Sequence, residues 1–254
     1  MPIYALPAEA IFPDPETAEP NGLLAVGGDL GALRLLRAYS KGIFPWFGHD
    51  EPILWWSPPE RAVVLHRQES FSKRALRALR NIPFEIRFDS AFEQVIANCS
   101  NIPRKGETGT WITPAMIEAY TELHRAGFAH SVEAYLDSRL VGGLYGVSLG
   151  AAFFGESMFS LANYASRAAF AALCKVVWNW GFHFIDGQFP NENLDSLGAV
   201  RLPRRFFLEH LEQALKNPTK RGIWGQSIPI QNEELYSIDL QSASFLPHKT
   251  VCST

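Results

Sequence analysis

The chain has 254 residues, of which 47% are hydrophobic and 19% are charged, and this composition is typical of a soluble globular protein with a folded core. Its net charge of −3 excludes a strongly basic nucleic-acid-binding protein, so any polyanion would have to be held by a local basic patch. The three cysteines, Cys99, Cys174 and Cys252, are widely spaced and form no Cys-x-x-Cys pair, which excludes a disulfide framework or a zinc ribbon and indicates a reducing compartment.

The start of the chain lacks the basic stretch and the long apolar run of a secretory signal. The most apolar tract, residues 140–155, is interrupted by four internal glycines and by Ser148. It is also shorter than the ~20 residues that a membrane-spanning helix needs. We therefore expect a cytoplasmic protein without membrane contact.

Residues 1–60 are rich in Pro and Gly and contain dense turns such as EPNGLLAVGGDL and WWSPPERA. One helix is predicted there, from Gly31 to Ser40, because its apolar residues fall at helical spacing. We expect this segment to be a small, irregular N-terminal domain that could not fold alone.

A regular alternation of strand and helix patterns begins at Arg61. The elements predicted first are a strand at 62–66, a helix at 70–81, a strand at 83–89, a helix ending near Cys99 and a helix at 113–126. Ser70 or Ser72 is the predicted cap of the first helix. Thr113 caps the third helix, because Pro114 follows it and suits the first helical turn.

Three antiparallel strands are predicted next, followed by a helix, a strand and two helices. Their bounds are 130–136, 139–149 and 151–158, then 163–180, 182–186, 193–198 and 204–216. Hairpin turns are predicted at Asp137-Ser138 and near Leu149-Gly150. The order predicts an α+β fold, a mixed sheet flanked by helices, in a domain of residues 61–221. An irregular tail is predicted at 222–254, where periodicity is lost.

The helix at 70–81 carries four basic side chains on one face, because they recur every three or four residues. They are Lys73, Arg74, Arg77 and Arg80. Such a face is normally only solvated, but beside stacking aromatic rings it becomes a candidate phosphate track. Trp46 and Trp111 lie on predicted loops, where an indole ring can stack on a base. Core packing is the alternative for these rings.

Asp186 and Gln188 end the apolar strand FHFID, with Gly187 between them and Asn191 three residues later. Alternate strand residues point to one face, so the Asp186 carboxylate is expected to orient the Gln188 carboxamide as a directed hydrogen-bond acceptor. Gly187 would let a substrate approach closely. The alternative is a strand-end network that only holds the next loop.

Glu156 follows the strand AAFF, at a place where strands commonly contribute to a ligand site. It is therefore a candidate ligand-binding residue. The alternative is a structural role, in which the carboxylate only caps a helix or holds a loop.

The sequence contains no P-loop, dinucleotide fingerprint, GxSxG elbow or metal-ligand spacing of His and Cys. The acyl-CoA signature [QR]xxGx[GA] fails at Leu144 in RLVGGL.

Ten motifs, in order from about Phe12 to Leu215, resemble those of the bacterial leucyl/phenylalanyl-tRNA–protein transferases. They are EPNGLLAVGGDL, YSKGIFPWF, ILWWSPPERAV, GTWIT, HSVE, LVGGLYGV, FFGESMFS, NYAS, FIDGQ and LGAVRLPRR. The resemblance implies a GNAT-like domain that transfers Leu or Phe, and less readily Met, from aminoacyl-tRNA to proteins with N-terminal Arg or Lys. The product is marked for degradation by the N-end rule.

The resemblance also implies that Asp186 and Gln188 form the catalytic centre and that Trp46 and Trp111 hold the terminal adenosine. We expect ester aminolysis by a monomer without cofactor or metal, with Gln188 aligning the amine, Asn191 steadying the same network and Glu156 near the cationic acceptor. The donor side chain is expected in an apolar pocket lined by Leu144, Phe153, Met158, Leu173 and Ile185.

Two other functions fit parts of the sequence. One is a tRNA-end-binding module with the same fold and no catalysis. The other is an acyl-CoA-dependent N-acetyltransferase, against which the missing pyrophosphate loop argues.

Overall fold

The computed structural model describes residues 3–102 and 111–226. Most of the predicted tail, from residue 227 onward, and Cys252 lie outside these residues. In the described ranges, no helix is long and apolar enough to cross a membrane.

The N-terminal part of the chain contains a four-stranded sheet and one α-helix. Its elements are β1 (Tyr4–Ala5), β2 (Leu23–Val26), α1 (Ala32–Ser40), β3 (Phe44–Pro45) and β4 (Leu54–Trp56). The strand order is β1-β2-β4-β3. The predicted helix is confirmed within one residue, but the strands were missed, because each has only two to four residues and lies among dense turns.

The rest of the described chain contributes seven strands and six helices. They are β5 (Glu60–Leu65), α2 (Lys73–Asn81), β6 (Glu85–Phe88), α3 (Phe92–Asn101), α4 (Pro114–Arg125), β7 (Ala129–Leu136), β8 (Arg139–Leu149), β9 (Ala152–Ser160), α5 (Ala165–Asn179), β10 (Phe184–Asp186), α6 (Glu192–Asp195), β11 (Val200–Pro203) and α7 (Arg204–Leu215). The predicted α+β class with a mixed sheet is confirmed, whereas β11 was not predicted.

Two helices begin at caps that the sequence predicts. The Ser72 hydroxyl accepts the Ala75 N–H at 3.1 Å at the start of α2, and the Thr113 hydroxyl accepts the Met116 N–H at 3.3 Å at the start of α4. Each hydroxyl satisfies a backbone donor that the first helical turn leaves without a partner.

The large sheet has the strand order β11-β5-β10-β9-β8-β7-β6. Strands β6 to β9 form an antiparallel meander, and the predicted turn at Asp137 and Ser138 has positive φ at both residues, 49° and 60°. Strand β10 lies parallel to β9 and antiparallel to β5, with Asp186 opposite Phe154 on one side and Val63 on the other. Asp186 therefore lies in the interior of the sheet, where β10 ends.

Helix α5 packs closely on β7 and β8 because small residues face each other across the contact. A Cβ at Gly142 would lie 2.5 Å from the Ala165 Cβ, so this approach requires glycine on the strand. The close packing brings α5 to one side of a cavity whose other walls come from β8, β9, β10 and α6.

Candidate active site

A cavity of about 660 Å³ opens beside the end of β10. The structure brings together around it the five apolar side chains that the sequence analysis assigned to the donor pocket. They are Leu144 on β8, Phe153 and Met158 on β9, Leu173 on α5 and Ile185 on β10. Phe170, one turn before Leu173, joins the same wall. Such a space suits an apolar side chain of moderate size.

Polar groups line the cavity at the ends of β9 and β10. They are Glu156, Ser157, Asp186, Asn191, Glu192 and Asn193. Glu156 and Asp186 are buried, whereas Glu192 is exposed. The cavity is therefore apolar at one side and carries carboxyl groups at the other.

Asp186 is bound by a buried arginine that the sequence analysis did not single out. Arg61 Nη2 donates to Asp186 Oδ2 at 2.7 Å, and Arg61 Nε lies 3.0 and 3.1 Å from the two carboxylate oxygens. Both side chains are at most 1% exposed. A buried pair of this kind depends on good geometry on both sides, because each charge has lost its water.

The expectation that Asp186 orients the Gln188 carboxamide is wrong. Strand β10 ends at Asp186, and Gln188 has a φ of 65°, so the alternation of strand side chains does not reach it. Asp186 Oδ1 instead accepts the backbone N–H of Gln188 at 2.8 Å. The carboxamide Nε2 donates to Glu156 Oε1 at 2.7 Å. Glu156 is therefore the carboxyl group that orients the Gln188 side chain.

The other carboxamide atom has a fixed direction as a consequence. With Nε2 bound to Glu156, Gln188 Oε1 must point away from that carboxyl. Among residues 3–102 and 111–226, Oε1 accepts no hydrogen bond. Gln188 thus has an oriented acceptor. It is buried and does not itself belong to the cavity lining, whereas Gly187 directly before it does.

Two buried tyrosines complete the surroundings of Glu156. Tyr39 donates to Glu156 Oε1 at 2.7 Å and Tyr120 to Oε2 at 3.1 Å, and the two phenol oxygens also contact each other. Two phenol protons cannot serve three oxygen–oxygen contacts. When Glu156 is protonated, Oε2 can donate to Tyr120, Tyr120 to Tyr39 and Tyr39 to Oε1, so that each contact has one proton. Burial raises the pKa of Glu156 to about 7, although the three hydrogen bonds oppose this rise.

Both tyrosines stay neutral in this network. Burial raises the pKa of Tyr39 and of Tyr120 well above their ordinary value, and the nearby Glu156 raises both further. The phenols therefore act as hydrogen-bond donors and not as bases at physiological pH.

Asn191 lies on the cavity wall but does not join the network around Gln188. Its Oδ1 accepts the Leu194 N–H at 3.0 Å and caps α6, and its Nδ2 donates to the Phe189 carbonyl at 3.3 Å. The expectation that Asn191 steadies the Asp186–Gln188 pair is therefore wrong for the described bonds. Asn191 fixes the short helix that carries Glu192 and Asn193.

Trp46 and Trp111 lie apart from the cavity lining as far as the described residues form it. The Trp46 ring is 39% exposed, and it lies 5.2 Å from the Phe189 ring and 5.7 Å from the Trp56 ring. Trp111 is partly buried against the main core. Phe189 directly follows Gln188, so the exposed Trp46 ring rests on the residue next to the oriented carboxamide.

The four basic side chains of α2 are all exposed, as a shared helical face predicts. Ala75 and Leu79 are buried on the opposite face, and α2 packs against α5. Lys73, Arg74, Arg77 and Arg80 are not among the residues that line the cavity. They form an open basic surface on the same domain.

Three residues of this site, Arg61, Tyr39 and Tyr120, were not predicted from the sequence. A weak signal existed for Arg61, since a charged residue at the start of the apolar run AVVL is unusual unless it has a partner. The tyrosines looked like ordinary core positions on α1 and α4. Their shared partner, Glu156, is 117 residues from Tyr39 and 36 from Tyr120, so local patterns could not connect them.

Comparisons with known proteins point to one family along most of the chain. The family model described as leucyl/phenylalanyl-tRNA protein transferase matches residues 63–212, and the model of the N-terminal domain of the same proteins matches residues 28–59. A leucyl/phenylalanyl-tRNA–protein transferase of Myxococcus xanthus is 53% identical, covering 88% of this chain and 97% of that protein. One from Thermodesulfovibrio yellowstonii is 45% identical and covers 99% of both chains.

Solved structures resemble the chain only distantly. The C-terminal domain of a putative lysylphosphatidylglycerol synthetase from Agrobacterium fabrum has a TM-score of 0.37 and 12% identity, covering 76% of this chain and 58% of that one. A conserved protein of unknown function from Staphylococcus epidermidis has a TM-score of 0.35 and 10% identity, covering 71% and 68%.

Proposed function

The chain belongs to the leucyl/phenylalanyl-tRNA–protein transferases, and on that premise we propose that its cavity binds the donor amino acid while Gln188 aligns the acceptor amine. As a member of this family it is an aminoacyltransferase, which moves Leu or Phe from aminoacyl-tRNA to the N-terminal residue of a protein.

The observation that carries the proposal is the meeting of an apolar cavity with a carboxamide held by a buried carboxyl. Gln188 Nε2 is bound to Glu156 at 2.7 Å, and Glu156 lines the same cavity as Leu144, Phe153, Met158, Leu173 and Ile185. One part accommodates a side chain, and the other supplies a directed polar group. Both are needed to bring an aminoacyl ester to an amine.

The reaction is an ester aminolysis. The acceptor nitrogen attacks the ester carbonyl carbon, a C–N bond forms, and the C–O bond to the terminal ribose breaks as the amine proton passes to the leaving oxygen. The donor ester is already activated, so the step needs no cofactor or metal. Alignment of the two reactants can contribute about 7–11 kcal/mol to lowering the barrier.

Gln188 Oε1 accepts one N–H of the attacking amine in this scheme. A carboxamide is a weak base, so the group directs the nitrogen lone pair at the ester and does not remove the proton. Glu156 contributes by holding Nε2, and Asp186 by holding the Gln188 backbone. Asn191 contributes by capping α6, the helix that forms one wall of the cavity.

The donor side chain lies in the apolar part of the cavity. Leu, Phe and Met carry a single substituent on Cβ, whereas Ile and Val carry two. A narrow entrance would exclude the latter, and about 1–3 kcal/mol is available for each misplaced methyl-sized group.

Acceptors with N-terminal Arg or Lys suit the polar wall. Glu192 adds an exposed carboxylate to the cavity lining near Glu156, and a cationic side chain would lie favourably there. Glu156 has its oxygens engaged by Tyr39, Tyr120 and Gln188, so its part in the acceptor region is exerted through Gln188.

The tRNA is held outside the cavity. Trp46 and Trp111 hold the terminal adenosine by stacking, and Lys73, Arg74, Arg77 and Arg80 contact phosphates of the acceptor arm. The exposure of Trp46 and of the four basic side chains supports this arrangement.

The chain acts as a cytoplasmic monomer with three parts. They are a small N-terminal domain at 1–60, a GNAT-like aminoacyltransferase domain that begins at 61 and a C-terminal segment. The domain extends beyond the expected end at 221, because Trp224 is 2% exposed and packed in its core. Two separate sheets in the described chain support the first boundary, since β4 ends the small sheet and β5 begins the strands of the large one.

Transfer of labelled Phe from Phe-tRNA to an Arg-starting peptide tests the proposed function. The label should appear in the peptide without added ATP, metal or CoA, and a matched peptide acetylated at its N-terminus should stay unlabelled. Binding of Phe-tRNA without labelling of the peptide would instead identify a tRNA-end-binding module. Labelling of the acetylated peptide would contradict attack by the α-amine.

A further inference from the structure

We propose that Arg61 is a positioning residue for aminoacyl transfer, since it fixes Asp186 and thereby the backbone turn that presents Gln188. This inference rests on the proposed function of Gln188. It extends that function to a residue of β5, the strand next to β10.

Arg61 determines the orientation of the Asp186 carboxylate. Nε and Nη2 grip both carboxylate oxygens at distances from 2.7 to 3.1 Å, and the remaining nitrogen, Nη1, donates to the Gly42 carbonyl at 2.8 Å. A planar guanidinium that holds two oxygens fixes the rotation of the carboxylate, whereas a lysine ammonium acts as a point charge.

The oriented carboxylate in turn holds Gln188 in an uncommon backbone conformation. Asp186 Oδ1 accepts the Gln188 N–H at 2.8 Å, and Gln188 has a φ of 65°. A residue other than glycine in this region costs about 1–3 kcal/mol and persists only where its surroundings enforce it. The bond from Asp186 is one such constraint.

Strand β5 supplies the other constraints through the residue next to Arg61. The Ala62 N–H donates to the Gln188 carbonyl at 2.9 Å, and the Gly187 N–H donates to the Ala62 carbonyl at 2.8 Å. Two neighbouring residues of one strand therefore hold the turn, Ala62 by its backbone and Arg61 through the Asp186 side chain. From this turn the Gln188 carboxamide reaches Glu156.

Two aromatic rings hold the Arg61 guanidinium in place. Its guanidinium carbon lies 4.7 Å from the centre of the Phe44 ring and 4.4 Å from that of Phe207. Phe44 belongs to the small sheet and Phe207 to α7, so the group is held by two elements outside the large sheet. A side chain held so firmly can hold Asp186 to a single orientation.

A double-mutant cycle between Arg61→Lys and Gln188→Ala tests the proposal, with labelled transfer to an Arg-starting peptide as readout. Arg61→Lys keeps the charge and loses the two-oxygen grip, so kcat should fall about 10- to 100-fold, as for a small misplacement of a reacting group. KM for Phe-tRNA should change by less than about twofold. In the Gln188→Ala background, Arg61→Lys should lower kcat by no more than about twofold, because both variants remove the same interaction.

Arg204→Lys is the matched control. Arg204 is 10% exposed at its side chain and holds the Ser57 carbonyl at 2.6 Å and the Pro58 carbonyl at 3.3 Å, but it makes no bond to Asp186. Its replacement should leave kcat within about twofold of the parent, because it keeps the charge near Arg61 and leaves the two-oxygen grip on Asp186 in place. Equal losses in Arg61→Lys and Arg204→Lys would show that only stability is affected and would overturn the proposal.

Asp186→Asn provides a second variant, because it keeps an oxygen for the Gln188 N–H and breaks the ionic pair. It should lower kcat in the parent and add little to Gln188→Ala. If the loss of kcat in each double variant equals the product of the losses in its two single variants, Arg61 and Asp186 act independently of Gln188. That result would overturn the role of Arg61 while leaving the transferase function intact. A parent enzyme without transfer, or a Gln188→Ala variant with full kcat, would instead contradict the proposed function itself.

Discussion

At Glu156, burial and hydrogen bonding act on one carboxyl group in opposite directions. Removal from water favours the neutral form, whereas donors from Tyr39, Tyr120 and Gln188 favour the carboxylate. Burial is the larger effect, since the pKa rises from 4.5 to about 7. The group that orients Gln188 therefore changes its protonation state near physiological pH.

This titration predicts a pH-dependent stability that Glu156→Gln removes. Between pH 4.5 and about 7 the folded chain keeps a proton that the unfolded chain has released, so the free energy of unfolding falls as pH rises through this range. The contribution of Glu156 amounts to about 3 kcal/mol, at 1.36 kcal/mol for each pH unit of the shift.

Chemical unfolding of both proteins at pH 5 and pH 8 measures the effect. Going from pH 5 to pH 8, the difference in stability should move in favour of Glu156→Gln, because every other titrating group is common to the two chains. A difference that stays constant over this range would show that Glu156 is ionised throughout.

Gln188 shows where residue-level prediction from sequence fails. Asp186 and Gln188 stand out in the sequence, because a carboxylate and an amide after an apolar strand are unusual there. Their partners do not, because the left-handed turn at Gln188 depends on Arg61 and Ala62, which are more than a hundred positions away. Strand periodicity alone predicted Asp186 as the partner of the Gln188 carboxamide, whereas the partner in the structure is Glu156.

Among the elements, those defined by local chemistry were predicted well. The caps of α2 and α4 and the turn between β7 and β8 each depend on two or three neighbouring residues. Strand β11 and the four N-terminal strands depend on pairing with distant segments. Short strands of this kind have too few residues for an alternating pattern to be visible.

The apolar part of the cavity, formed by β8, β9, β10 and α5, predicts selection at the donor Cβ. Small aminoacyl esters of Leu should be used about 10- to 200-fold better than those of Ile, because the second Cβ substituent of Ile meets the pocket entrance. Initial rates of transfer to an Arg-starting peptide at limiting ester concentration measure this ratio. Equal use of the two esters would contradict a narrow entrance.

Helix α2 predicts a salt dependence of tRNA binding. Replacing Lys73, Arg74, Arg77 and Arg80 by Ala should reduce the slope of log affinity against log salt by roughly 0.9 for each phosphate that the helix no longer neutralises. The control replaces Arg205 and Lys216, two exposed cations of α7 and its C-terminal end, and should leave the slope unchanged. An unaltered slope in the α2 variant would remove this helix from tRNA binding.

In the whole molecule, Trp224 near the C-terminal end of the described chain packs against a residue that lines the cavity. Trp224 is 2% exposed and stacks on His130 with ring centres 3.9 Å apart. Its backbone N–H donates to Asp89 Oδ2 at 2.7 Å. Its ring also lies 5.8 Å from Phe153, a cavity-lining residue. The end of the described chain and the donor pocket therefore share one core.

Trp224→Ala should reduce the free energy of unfolding by about 3–5 kcal/mol, the usual cost of truncating a large buried aromatic side chain. Ile223→Ala is the neighbouring control, and it should cost little because Ile223 is 53% exposed. Urea unfolding of the two variants measures both values. Equal effects would mean that the Trp224 ring is not packed into this core.

The most direct measurement is the single-turnover rate of labelled Phe transfer from saturating Phe-tRNA to an Arg-starting peptide in the parent and in Gln188→Ala. If Gln188 aligns the amine, this rate constant should fall by about 100-fold or more, while the dissociation constant of Phe-tRNA stays the same. An unchanged rate constant, or a loss of Phe-tRNA affinity as large as the loss of rate, would contradict this role of Gln188.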